Sequence, residues 1–377
     1  LPLEEREERD YEKKVLTVVM MMAMTVSLIA WCGGKEKEAD FEDAHPDVDI
    51  EYENTSVQAI KEKLSVLAAG GDLPDIFFAW GGECLNRFSR AGRTLDLTPY
   101  MEDDPEWRDS FLPSFLSSSV YDGKNYAVPY RSSVLYMLYS KQVFADNNLD
   151  VPETWDEFID VCERLKANEV APIAFGNSDK WYTMWYVGQF NANYVDAGTR
   201  TSDYNPESGA FTDPGYTKAV QTFLDLNDKG YLGTNVNSQD YYQVREEFAS
   251  GDETSSIVTG GSENYAVSAE CKHPDEAVAF LKFMTSKEQA LKQTKETGLP
   301  NALIGGITED NSDPVIAAAY ETAEDYTAIA EWLDQCVDGN VANTYMASLQ
   351  EGLDGKTAED IIADVQKAAK EVAEANK

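Results

Sequence analysis

A chain of 377 residues with 43% apolar content can bury a sizeable core and suggests about two or three domains, which excludes a small module and a disordered chain. Its 31 Lys and Arg stand against 68 Asp and Glu, a net charge of -37. Such an acidic exterior repels phosphate backbones, so nucleic acid is excluded as a partner.

The five cysteines, Cys32, Cys84, Cys162, Cys271 and Cys336, lie far apart with no CxxC pair, which argues against a disulfide framework and against structural zinc. His45 and His273 each precede a proline at a segment start, and neither has the setting of a metal ligand or a general base. No cofactor is expected. The acidic loop Glu309-Asp310-Asn311-Ser312-Asp313 lacks the spacing of a calcium loop and reads as a solvated turn.

In chain order, Lys13 and Lys14 lead into the apolar run Val15 to Ala30, short for a membrane span but of the length of a signal-peptide apolar region. Cys32, Gly33, Gly34 and the charged stretch Lys35-Glu36-Lys37-Glu38 follow. This resembles a bacterial lipoprotein junction, with Cys32 as the lipidated residue, although Trp31 stands where such junctions carry a small side chain. Residues 1–31 are therefore expected to be a leader and 32–40 a tether.

Beyond the leader, short apolar strands alternate with amphipathic helices, the pattern of α/β domains. Ile60, Leu64, Leu67 and Ala68 share one helical face, Gly70 and Gly71 end that helix, and Ile76-Phe77-Phe78-Ala79 reads as a buried strand ending at Trp80. Tyr126 to Tyr130 and Val134 to Tyr139 are predicted strands. Thr154 and Glu157 form a capping-box pattern opening a helix whose buried face is Phe158, Ile159, Val161, Cys162 and Leu165. Pro172 to Phe175 is a predicted strand, Tyr216 to Leu224 a helix, and Tyr265 to Ala269 a strand before the helix opened by Pro274. Thr357 and Asp360 begin a last helix with Ile361, Ile362, Val365, Ala369 and Val372 on its apolar face.

Several blocks carry a family resemblance: Leu67-Ala68-Ala69-Gly70-Gly71 followed by Pro74-Asp75-Ile76-Phe77; Leu95 to Tyr100; Tyr121-Asp122-Gly123-Lys124-Asn125-Tyr126-Ala127-Val128-Pro129-Tyr130; Pro152 to Phe158; and His273-Pro274-Asp275-Glu276-Ala277. In these the chain resembles the family 1 solute-binding proteins of ABC importers, the group that includes maltose-binding protein and many oligosaccharide receptors. The resemblance implies an α/β, two-lobed periplasmic-binding-protein-like fold with a hinge and an inter-lobe ligand cleft. Lobe 1 would comprise 41–131 and 256–312, and lobe 2 would comprise 132–255 and 313–377. It also implies a function without catalysis: an extracellular, lipid-anchored monomer captures a sugar, closes over it by hinge bending and presents it to the permease subunits of the importer. Little chain separates Cys32 from Phe41, and Glu253-Thr254-Ser255-Ser256 runs almost directly into Ile257. Measured against the family, the first strand and one crossing segment are expected to be missing.

Sugar rings present apolar C–H faces that stack on aromatics and hydroxyl edges that need paired donors and acceptors. Trp80 and Glu83 follow a strand C-terminus, where open α/β sheets place ligands. Tyr130 and Arg131 fall at the expected lobe crossing, and the loop after Phe175 offers Asn177, Asp179 and Trp181. Trp185, four residues on, and the late Trp332 complete the candidate ligand contacts, each with core packing as the alternative. Trp155 reads as a structural anchor and is left out of the site. Two other functions fit the same sequence: a truncated structural lipoprotein that binds no small molecule, and an extracellular glycoside hydrolase working through paired carboxylates.

Overall fold

The computed structural model describes residues 14–22, 40–133, 136–240, 243–244, 255–258, 261–323 and 332–376. Its principal strands are β1 (Lys14–Met22), β2 (Val48–Ser56), β3 (Ile76–Trp80), β4 (Ala127–Ser133), β5 (Tyr136–Tyr139), β6 (Ser255–Val258) and β7 (Gly261–Val267). The helices that matter below are α1 (Val57–Gly70), α2 (Glu83–Arg90), α3 (Trp155–Ala167), α4 (Trp181–Tyr194), α5 (Pro214–Asp228), α6 (Pro274–Met284), α7 (Leu333–Cys336), α8 (Gly339–Gly352) and α9 (Ala358–Ala375). The chain divides into two compact units. One comprises Leu1–Trp80, Leu85–Ser132 and Ser262–Ala328; the other comprises Gly81–Cys84, Ser133–Gly261 and Ile329–Lys377.

The first unit is built on a five-stranded sheet of order β2-β1-β3-β7-β4. β1 runs parallel to β2 from Lys14 opposite Val48 to Met22 opposite Ser56, and parallel to β3 at Val18–Ile76 and Val19–Phe77. The apolar run expected to be a leader forms a strand inside this sheet. A stretch rich in Val, Leu, Thr and Met suits a buried parallel strand as well as it suits a signal segment. β3 is buried along its whole length and pairs antiparallel with β7 from Ile76–Val267 to Trp80–Glu263. Ile60 and Leu64 of α1 and Val278 and Leu281 of α6 are buried in this unit. Phe41 meets Phe280 edge to face at 5.1 Å.

The second unit is mainly helical. Its core joins Phe158 and Cys162 of α3, Tyr186 and Val187 of α4, Tyr216 and Phe223 of α5, Tyr345 and Leu349 of α8, and Ile361 and Val365 of α9. Cys162 packs as the sequence indicated, and burial pushes its thiol up to about 12. The capping box forms: Thr154 accepts from the Glu157 amide, and the Glu157 carboxylate accepts from the amides of Glu153 and Thr154. β5 and β6 make a two-stranded antiparallel ribbon from Tyr136–Val258 to Tyr139–Ser255. The expected missing crossing segment falls largely on 245–254 and 259–260, outside the described residues.

One predicted strand does not form. Residues 172–175 are irregular, although Ile173, Ala174 and Phe175 are buried. Their stretch is tied by single backbone bonds, the Ile173 amide to the Tyr231 carbonyl at 3.1 Å and the Asn177 amide to the Val236 carbonyl at 2.8 Å. An apolar run can bury itself this way without a neighbouring strand to ladder against, so hydrophobicity alone could not tell the two apart.

Candidate functional site

In the first unit four chemistry-bearing side chains gather at one end of the β3–β7–β4 part of the sheet. Trp80 closes β3 and is only 6% exposed, with its indole edge to face on Phe78 at 4.9 Å. It is thus largely packed, and little of its ring is left for a ligand. Directly opposite in register sits Glu263 of β7. The Arg131 guanidinium donates to Glu263 Oε2 at 3.3 Å, and the two side chains keep 17% and 20% exposure. Burial works against the Arg131 charge, but Glu263 and the phenols of Tyr130 and Tyr265 outweigh it, so its pKa is raised and it stays cationic. Its Cζ lies 5.6 Å from the Tyr130 ring centroid, and Tyr130, itself buried, meets Tyr265 edge to face at 5.2 Å.

Arg131 is held from behind by the backbone. It bridges to Asn301, and the next residue, Ser132, donates its amide to the Pro300 carbonyl at 3.1 Å and its hydroxyl to the Asn301 carbonyl. Asn301 is fully buried. Its Nδ2 donates to Thr294 Oγ1 and to the Gly306 carbonyl, both at 2.9 Å, while its Oδ1 accepts from the Leu303 amide at 3.0 Å.

In the second unit the loop after Phe175 is shaped by its own backbone. A side chain at Gly176 would stand 2.9 Å from the Gln239 carbonyl, so this position needs glycine for close approach. Asn177 is buried and donates through Nδ2 to Asn237 Oδ1 at 3.0 Å, which makes it an organiser of the loop. Lys180 takes a positive φ of 65° and turns the chain into α4, whose first residue is Trp181. Asp179 is exposed. Partial desolvation of the carboxyl by its surroundings, and then the neighbouring carboxylate of Asp240, hold it above the usual aspartate value.

Three tryptophans named from the sequence come together here. Trp181 and Trp185 lie on one face of α4 with ring centroids 4.6 Å apart. Trp332, the residue capping α7, stacks on Trp185 at 5.7 Å with an interplanar angle of 16°. All three are half-buried; Trp181 and Trp185 rest on the core of the unit. Trp155, left out of the site, packs on Phe158 and Phe190, each at 5.4 Å.

The structure therefore brings Trp80, Tyr130 and Arg131 together in one unit, and Asp179, Trp181, Trp185 and Trp332 together in the other. Glu83 opens α2 and is buried; it groups with the second unit through the stretch Gly81–Cys84. Cys32 lies outside the described residues. Sequence reasoning missed Glu263 and Asp240. Glu263 owes its place to cross-strand register, and among 68 acidic residues nothing local marked it.

The arrangement is one of aromatic faces beside hydrogen-bonding edges. The chain belongs to the bacterial extracellular solute-binding protein family, whose model matches residues 34–291; it acts outside the cytoplasm as a binding protein of this class. It is 24% identical over 317 residues to the multiple sugar-binding protein of Streptococcus mutans, covering 73% of each chain. It is 24% identical over 352 residues to the diacetylchitobiose binding protein of Streptomyces coelicolor, covering 83% of this chain and 80% of the relative. A solved chitin oligosaccharide binding protein superposes with a TM-score of 0.82 at 24% identity, covering 96% of this chain and all of the other, and shares the two-lobed fold.

Proposed function

We propose that the protein captures an oligosaccharide outside the cell, closes over it by hinge bending and hands it to the permease of an ABC importer. The observation that carries this reading is the run of indoles Trp181–Trp185–Trp332, opened by Asp179, whose backbone carbonyl accepts from the Trp181 amide at 2.8 Å. Successive aromatic faces suit successive sugar rings, while a carboxylate accepts from their hydroxyls. Relatives named for multiple sugars and diacetylchitobiose support the same class of ligand. Ligand contacts that differ between open and closed forms would drive the closure, and transport energy would come from the importer. The role is binding without hydrolysis, and the protein acts as a monomer.

The deciding experiment is calorimetric titration with malto-, fructo-, xylo-, galacto- and chito-oligosaccharides, with chromatography of the sugars afterwards. Saturable binding to one class with the sugar recovered intact is expected. A folded protein that binds none of them supports the structural-lipoprotein reading instead, and shortened sugars would point to a hydrolase.

Lipid anchoring at Cys32 is a second part of the proposal, supported by the apolar run before it and the charged tether after it. Cleavage before Cys32 also removes β1, so the anchored form and the form with β1 in its sheet are different molecules. Mass spectrometry of the protein from a membrane fraction distinguishes them. A diacylglyceryl-modified N-terminal Cys32 is expected, and recovery of peptides from 14–22 in the mature chain would rule cleavage out.

A further inference from the structure

The first unit carries an ion pair whose position has a consequence for ligand choice. Glu263 stands directly across from Trp80 in the β3–β7 register and is held by the guanidinium of Arg131 at 3.3 Å. Both side chains are mostly withdrawn from solvent, yet each keeps a fifth or less of its surface open. Two features set this pair apart from the exposed pairs Arg108–Asp109 and Lys124–Asp96. Charges at this depth are little screened by salt, and Arg131 is fixed by the Asn301 bridge and stacked over Tyr130, so its geometry is preset.

We propose that Glu263 is a specificity-determining residue, which cancels the charge of Arg131 beside Trp80 and restricts the ligand to uncharged saccharides. Arg131 alone would be a fork for carboxylates, since a guanidinium matches a carboxylate bidentately. With Glu263 Oε2 engaging one arm of that fork at 3.3 Å, a uronic acid meets a charge already countered and a second negative charge, while a neutral sugar meets an acceptor in Glu263 and the remaining donors of Arg131. Rejection of the acidic sugar is thus built in as a repulsive element. The inference rests on the oligosaccharide-capture reading and narrows its ligand class.

The test uses two oligosaccharides of equal length and linkage, one neutral and one ending in a uronic acid, titrated into the full chain and into Glu263→Gln. Wild type is expected to bind the neutral sugar and not the uronate. Glu263→Gln is expected to lose about tenfold in affinity for the neutral sugar, the scale of one charge-assisted hydrogen bond, and to gain saturable uronate binding. Glu263→Asp, which keeps the charge, should gain none. Equal binding of both sugars by wild type overturns the inference without any variant being needed, even where Glu263→Gln fails to fold. An unchanged preference in folded Glu263→Gln overturns it too. If wild type binds no saccharide of either kind, the capture reading itself fails, an outcome distinct from neutral binding with unaltered selectivity.

Discussion

Trp185 and Trp332 lie almost parallel, at 16° with 5.7 Å between ring centroids, although one belongs to the middle of α4 and the other to the cap of a short helix far along the chain. Offset parallel rings of this kind contribute about 0.5–1.5 kcal/mol beyond the area they bury. Each also steadies the other's face for a ligand. Trp185→Ala and Trp332→Ala are each expected to weaken sugar binding about tenfold or more, with a coupling of about 1 kcal/mol in the double variant. Calorimetric titration of the four proteins checks this; additive losses would mean the two rings act separately.

Asp179 makes the second unit sensitive to pH. Its carboxyl is held above the ordinary aspartate value of 3.8 by partial desolvation and by Asp240, so the folded state binds its proton more tightly than the unfolded chain does. The sign follows from linkage: the stabilising effect of this protonation is fully present below 3.8 and is lost as pH rises through the raised folded value. Asp179→Asn should therefore raise the melting temperature of the ligand-free protein at pH 7, with the advantage shrinking as pH falls and closing below the unfolded value. Calorimetric melts between pH 3 and pH 7 measure it.

Asn301 is the polar keystone behind Arg131. Replacing it with Ala strands the Leu303 amide in a buried setting, while the Gly306 carbonyl keeps its bond from Asn311 Nδ2, and such an orphan costs about 1–3 kcal/mol. A loss of about 1–3 kcal/mol in urea-monitored stability is expected. Arg131 should become less well placed, so affinity should fall more than for a substitution at the exposed Glu296 of the same segment.

Removal of β1 is the test of its place in the sheet. A chain beginning at Gly33 leaves the facing edges of β2 and β3 without the strand that pairs with both, and unpaired edges invite association with other chains. The shortened protein is expected to melt lower than the full chain and to sediment in part as oligomers. Equal melting temperatures would show that β1 contributes nothing to the fold's stability.

Much of the fold was legible because its signals are local. The Thr154–Glu157 capping box, the Pro274 helix start and the apolar face of α9 each lie within one or two turns of chain, and each element formed where its residues placed it. The failures have equally physical causes. Residues 172–175 carry the apolar run of a strand but are not assigned to one among the described residues, and a β-ladder requires a second chain segment that composition does not announce. Lys14–Met22 satisfied two descriptions at once, signal segment and strand, because an apolar run meets the demands of both.

The sequence by itself determined the family, the alternation of helices and strands, and the residue types that suit a sugar, since hydrophobic period, caps and motif spacing are properties of neighbours along the chain. Tertiary structure alone decided which of those residues meet. Trp332 reached Trp185, Trp80 turned inward on Phe78, and Glu263 came to face Arg131, because strand register and helix packing set contacts between segments that no local pattern links.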